Sequence, residues 1–330
     1  MTYFGSREFF LEVAKGNVAG HSIVNKFGRS PDIDTADNFT TIYGGTKGAH
    51  AGFNSTAAEP VEVFSSSAND ASTLLSSGTA TGGSSTTLID TGATFSTDTV
   101  AAGDLLINDT LVDHAVITGV TETTLTVWRW AYGTTPVSTN AYRVATAAST
   151  GLVAMRLDHL LSASYAQTSE YILTNGTTGV DTTGSYIRCA RMSGLCAGNI
   201  NGANIGTITL RQKTTTANVF DIIQVGYNQT MNAAYTIPAG KTGYMIQGFI
   251  GFANKTSASV TGRLLSRPVG EVFRVGEELT LSSDGTGYVQ RPFPLPKGPI
   301  PEMTDILAMA DTDTNNVSVN AGFDILLVDN

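Results

Sequence analysis

Two acidic runs have spacing that could support chemistry. Asp32-Ile-Asp34 and Asp311-Thr-Asp313-Thr-Asn315 set oxygen ligands at alternate positions, as calcium loops do. Neither run goes on to the sharp-turn glycine and bidentate glutamate of an EF-hand. Asp-Thr-Asp-Thr-Asn-Asn also has the composition of a turn built by Asx side chains. A turn is the expectation, calcium the alternative, and no metal is assigned. A third group is aromatic: Trp128, Trp130 and Tyr132 alternate along a short β-rich stretch. Such rings either stack on a sugar or fill the core of a small domain.

Other chemistries find less support. No Gly-x-Ser-x-Gly occurs, and His21-Ser22 lies in a stretch with no regular pattern. Gly82-Gly83 and Gly202–Gly206 lack the Lys-Ser/Thr ending of a phosphate loop and read as turns. His21, His50, His114 and His159 stand singly, without metal-ligand spacing. Cys189 and Cys196 are too few for a disulfide framework and are expected to be buried thiols. A glycan-cleaving pair can always be picked from 28 acids, so a depolymerase has no specific signal. The expectation is no enzyme and no cofactor.

The elements that must position these residues are strands. The chain has 330 residues, 41% hydrophobic and only 14% charged, with 35 glycines. That composition builds a core and many turns. Nineteen basic against 28 acidic residues give a net charge of −9, which disfavours nucleic acid as a partner. No apolar run is long enough for a membrane-spanning helix. Acidic Glu8 and Glu12 interrupt the apolar residues of the first segment, so a signal peptide is not expected.

Ser6–Lys15 places Phe9, Phe10, Val13 and Ala14 on one helical face, with Gly16 beyond the end. Residues 16–53 then lose any sustained period. Their isolated apolar anchors suit an extended arm, in which Gly16 to Ser30 alone would reach about 50 Å. Half of the residues from Ser65 to Val100 are Ser or Thr. Short strand-like pieces follow, including a hairpin of Ala115–Val120 and Thr124–Trp130 around Thr121-Glu122-Thr123. Residues 77–146 thus read as an inserted small β-barrel. Beyond Gly151, strand after strand is bounded by turn signals, as in an antiparallel sandwich. Ile237–Gly243 reads as a tight connection, and the proline-rich Arg291–Pro301 as a stiff crossing segment. The predicted organisation is an arm over 1–53, a first sandwich part over 54–76, the insertion over 77–146 and the main sandwich over 147–330.

Several runs carry a resemblance: EVAKGNVAGHSIVNKFGRSPDIDTADNFTTIYGG, TSEYILTNGTTGVDTTGSYIRCARM, NIGTITL, YTIPAGKTGYM and the final TDILAMADTDTNNVSVNAGFDILLVD. Together they resemble structural proteins of tailed bacteriophages. The likeness covers most of the chain, and the insertion is itself similar to small β modules of phage structural proteins. It implies a virion component on the particle surface, made in the host cytoplasm, and it supplies no catalytic residues.

Residues and resemblance together predict an all-β protein: a jelly-roll-like antiparallel β-sandwich with an inserted small β-barrel and an extended N-terminal arm. The expected role is a capsid decoration (cement) or head-fibre protein that forms a homotrimer. It would dock to the major capsid protein or other virion subunits through Phe27, Arg29, Ile33, Phe39 and Tyr43. The alternative is a tail-associated protein that stacks host-surface glycan on Trp128, Trp130 and Tyr132. A polysaccharide depolymerase comes third.

Overall fold

A computed structural model describes residues 6–44, 55–147, 150–195 and 202–330. Along the chain come α1 (Ser6–Ala14), β1 (His21–Ile33) and β2 (Thr40–Thr41). Next are β3 (Glu59–Ser65), β4 (Ser72–Thr79), β5 (Gly82–Ser84), β6 (Thr87–Ile89), β7 (Leu105–Asn108), β8 (Asp113–Val120), β9 (Thr124–Val127) and β10 (Ala141–Ala147). Then follow β11 (Ala154–Leu161), β12 (Gln167–Leu173), β13 (Val180–Tyr186), β14 (Arg191–Leu195), β15 (Ile208–Gln212) and β16 (Val219–Ile223). The last are β17 (Ala234–Thr236), β18 (Lys241–Pro268), β19 (Arg274–Ile300), β20 (Thr304–Thr312) and β21 (Val317–Asp329). The fold is all-β, as the patterning predicts. Among the described residues no helix is long and apolar enough to cross a membrane.

The chain forms two compact units. One holds residues 1–58, 161–167 and 230–330, the other residues 59–160 and 168–229. The expected division, by contrast, joined residues 54–76 and 147–330 in one sandwich. Strand text alone does not say which strand pairs with which. Here β3 pairs with β13 and β15, whereas β18, β20 and β21 pair among themselves and with strands from the N-terminal segment.

In the second unit, β4-β10-β7-β8-β9-β6-β5 form a nearly closed barrel-like sheet from residues 72–147, bracketing the expected insertion. Leu88, Phe95, Leu106, Ile117, Leu125 and Trp130 fill it. The sheets β12-β11-β14 and β13-β3-β15-β16 share a core of Val61, Val63, Met155, Leu157, Ile172, Met192, Leu210 and Phe220.

The first unit is one long sheet bent back on itself. The first part of β18, Lys241–Ala253, pairs with β21; its last part, Val260–Pro268, pairs with β20. Strand β19 runs beside both parts, and its register shifts between Ala253↔Thr286 and Ser257↔Asp284, at the bend. On the opposite side β1 lies along β21, while β2 and β17 lie along β20. Ile33, Ile250 and Phe252 share one buried cluster with Val260, Ala310, Val317 and Val319, so the two arms of the bent sheet bury their apolar faces together.

Residues 21–33 are therefore a strand and not a detached arm. Eleven of its thirteen residues pair antiparallel with β21, from His21↔Val328 to Ile33↔Val317, with a register shift between Ser30 and Ile33. Gly28 is what lets β1 close down: a Cβ there would overlap the Ile42 carbonyl oxygen and the Ala233 backbone nitrogen. The backbone on this side is also engaged, since Arg29 N donates to Met231 O (3.2 Å) and Ala233 N to Ile42 O (3.0 Å). The proline-rich segment belongs to β19, whose hydrogen-bonded neighbour is β18, and an edge position is where a strand tolerates proline.

Candidate functional site

The three aromatic residues separate on folding. Strands β8 and β9 form the expected hairpin, in which Thr121 N donates to Thr124 O (2.9 Å) and Thr124 N to Thr121 Oγ1 (3.1 Å). The chain then leaves the barrel wall through Trp128–Gly133. Trp130 is 2% exposed and belongs to the barrel core, as small domains require, whereas Trp128 is 83% and Tyr132 57% exposed. Only the latter two are available to a ligand.

A buried carboxylate holds this loop. Asp113 Oδ1 accepts from His114 N (2.7 Å) and Tyr132 N (3.0 Å), and Oδ2 from Thr134 N (3.2 Å) and Thr134 Oγ1 (2.7 Å). Four donors satisfy a charge that would otherwise be costly to bury. Tyr132 is fixed further by the Arg156 guanidinium, 4.1 Å from its ring centroid, and by the His114 ring packed edge-on at 6.0 Å.

Beneath Tyr132 the polar groups form a chain. Arg156 Nη1 donates to Val112 O (2.7 Å) and to the Tyr171 hydroxyl (2.8 Å), and Arg156 Nε donates to Asp158 Oδ1 (2.7 Å). The Tyr171 hydroxyl also lies 2.9 Å from His114 Nδ1, a hydrogen bond whose donor is set by the imidazole tautomer. Burial lowers the His114 pKa, assisted by Arg156 against the opposing pull of Asp113. Burial likewise raises the phenols of Tyr171 and Tyr132. Each group moves away from neutrality, the reverse of tuning for proton transfer near pH 7. The arrangement orients rings and donors, which suits stacking and hydrogen bonding. The sequence singled out neither Arg156, Tyr171 nor Asp113, because the residues that give them meaning, such as Tyr132 for Asp113 and Tyr171 for Arg156, are far apart in the chain.

The five expected docking residues do not make an outward strip. Ile33 and Tyr43 are buried in the chain's own fold; the register shift after Ser30 interrupts the alternation of β1 and brings Ile33 inward. Phe39 is half-buried with the Arg263 guanidinium 3.6 Å from its ring centroid. Arg29 is half-buried, and its Nε donates to Ser318 Oγ (3.2 Å); Phe27 is half-buried on the same strand. Ile33 and Tyr43 are thus used for internal packing, whereas Phe27, Arg29 and Phe39 keep part of their surface exposed.

The two acidic runs meet at one corner of the bent sheet. Asp34 Oδ1 accepts from Asn316 N (2.8 Å), and Asn315 Oδ1 accepts from Thr35 N and Thr35 Oγ1 (2.9 Å each). Asp313 Oδ1 accepts from Ser259 N (2.7 Å) and Asp311 Oδ1 from Thr312 N (2.9 Å). The Ser259 amide first, and the Thr314 hydroxyl next, hold the Asp313 carboxyl below its ordinary pKa. These side chains cap backbone at the bend, as Asx turns do. Among the described residues no cluster of three or more His, Cys, Asp or Glu is placed to hold a metal ion. Cys189 is half-buried, with Sγ donating to Arg191 O (3.5 Å), whereas Cys196 lies outside the described residues.

No protein-family model matches the chain, and no curated protein does. Among solved structures, the crystal structure of the infectious bursal disease virus VP2 subviral particle overlaps 94% of this chain and 72% of its own, at 9% identity and a TM-score of 0.20. An overlap that loose carries no argument.

Proposed function

We propose that this chain is a non-enzymatic structural protein of a tailed-bacteriophage virion, a capsid decoration (cement) or head-fibre subunit. It assembles with copies of itself and with the major capsid protein or neighbouring virion subunits. The observation that carries the reading is β19, a strand of 27 residues hydrogen-bonded to β18 and with no buried side chain among its described residues. A strand edge of that length invites pairing, and working assemblies cover such edges. The bacteriophage setting rests on the terminal sequence runs. These become the two partners of one ladder, β1 and β21, so the resemblance falls on the scaffold of the first unit. The test is mass spectrometry of purified particles of the virus that encodes the chain. It should be found there in many copies per particle; confinement to the soluble fraction of infected cells overturns the proposal.

A second reading, a tail-associated glycan-binding protein, is favoured by the exposed Trp128 and the clamped Tyr132. Stacking on such rings contributes about 0.5–1.5 kcal/mol each. Titration of the full chain with host-surface polysaccharide checks it: binding weakened several-fold by Trp128→Ala supports it, and no binding removes it.

A further inference from the structure

The two straight segments of β19 differ. Thr286–Ile300 carries Pro292, Pro294, Pro296 and Pro299, which lack the N–H that a new ladder requires. Arg274–Asp284, RVGEELTLSSD, has no proline. Arg274, Gly276, Glu278, Thr280, Ser282 and Asp284 are exposed on one of its faces. Leu279 and Leu281 point the other way and pack on the core of the bent sheet, yet stay only half-buried. Beside them lies a cavity of about 80 Å³ lined by Phe249, Leu264, Leu279, Val289 and Phe293. This segment has an apolar side incompletely covered and nothing in its sequence that blocks pairing.

We infer that Arg274–Asp284 pairs antiparallel with the same segment of a second copy, about a two-fold axis at Leu279, and continues the sheet across a dimer. The occupant and the register both follow from charge. With Leu279 on the axis, Arg274 lies opposite Asp284 of the second copy, and the symmetry repeats this pair at the other end. Leu279 meets Leu279, and Glu277 faces Leu281. Moving the axis to Glu277 sets Glu277 against itself, and moving it to Leu281 sets Glu278 against Asp284. Axes at Glu278 or Thr280 lose both Arg–Asp pairs. An axis at Gly276 also pairs Arg274 with Glu278 but overlaps only Arg274–Glu278; the axis at Leu279 alone spans the whole segment with opposite charges at both ends, and the complement is this same strand. It implies a two-fold contact where the sequence suggested a trimer.

The inference rests on the multi-copy reading of the chain, but its test needs only purified full-length protein, so absence from particles and failure to dimerise are separate results. Sedimentation equilibrium should give a dimer. Arg274→Asp and Asp284→Arg, both at exposed positions, should each weaken it about tenfold, and the double exchange should restore it to within about threefold. An unchanged circular dichroism spectrum and a cooperative melt in each variant show that the fold persists. Leu279→Cys should form a disulfide-linked dimer under mild oxidation, and Tyr288→Cys should not. A monomer or trimer at every concentration, single exchanges without effect, a double exchange without rescue, or a Leu279→Cys chain that stays uncrosslinked overturns the proposal.

Discussion

The first unit has two outer strands beside the β21–β18 pair, β1 and β19, and they treat their free sides in opposite ways. Strand β1 is pressed against the chain around Ile42 and Met231–Ala233, through a glycine that removes the side chain at the closest approach. Strand β19 is twice as long, pairs with β18 alone among the described strands, and keeps half of its face in water. An edge finished with the chain's own backbone needs no partner, whereas one guarded over half its length by proline leaves the other half open. The contrast separates what holds the subunit together from what is left for other subunits.

The largest effect should come from removing residues 1–33. Loss of β1 unpairs the backbone edge of β21 and takes Ile33 out of the core, and should remove stabilisation comparable to the roughly 5–15 kcal/mol of a whole domain. Hydrogen exchange at the β21 amides should then become fast; a detached leader would leave it unchanged. Next comes Gly28→Val, whose side chain would collide with backbone, expected to cost about 3 kcal/mol in urea unfolding. Gly276→Val, on the open edge with only a 3.7 Å neighbour, should stay within about 0.5 kcal/mol in the same assay. Equal costs would erase the distinction between the edges.

A smaller effect is expected where β19 meets itself across the bend. Glu277 bonds Arg291 Nη1 (2.7 Å) and also pairs with Lys297, linking the two segments of the open strand. These groups are part-exposed, so Glu277→Gln should cost no more than about 1 kcal/mol and less in high salt. The smallest concerns pH. Asp313 has its pKa lowered in the fold, so its contribution is fully present above the ordinary aspartate value near 4 and fades as pH falls through the lowered one. Asp313→Asn should flatten the acid limb of the stability curve, and an unchanged limb would show that the corner does not depend on this carboxylate.

What could be read from the residues was local. Thr121-Glu122-Thr123 signals a hairpin by its own turn chemistry, and Ser6–Ala14 a helix by its apolar face. Partner choice could not be read, because alternation shows which side of a strand is apolar and not what covers it. Ile33 and Tyr43 have the spacing of anchors for a foreign surface, yet the pocket they fill belongs to their own chain. Trp128, Trp130 and Tyr132 look equivalent in sequence, and only the exit of the chain from β9 divides core from surface. The Asp113 and Arg156 network was hidden because its decisive bonds, Asp113 to Tyr132 and Arg156 to Tyr171, join residues far apart in the chain.

The ladder between β1 and β21 joins residues as much as 307 positions apart in the chain, from 21 to 328. A ribosome adding roughly 5–20 residues per second finishes β21 about 15–60 s after β1 has been made. Through that interval the second unit can acquire all of its strands, whereas the first waits with β1 exposed. Premature termination anywhere before residue 317 would therefore leave a stretch of unmatched main chain, a ready mark for the chaperones and proteases that dispose of unfinished products.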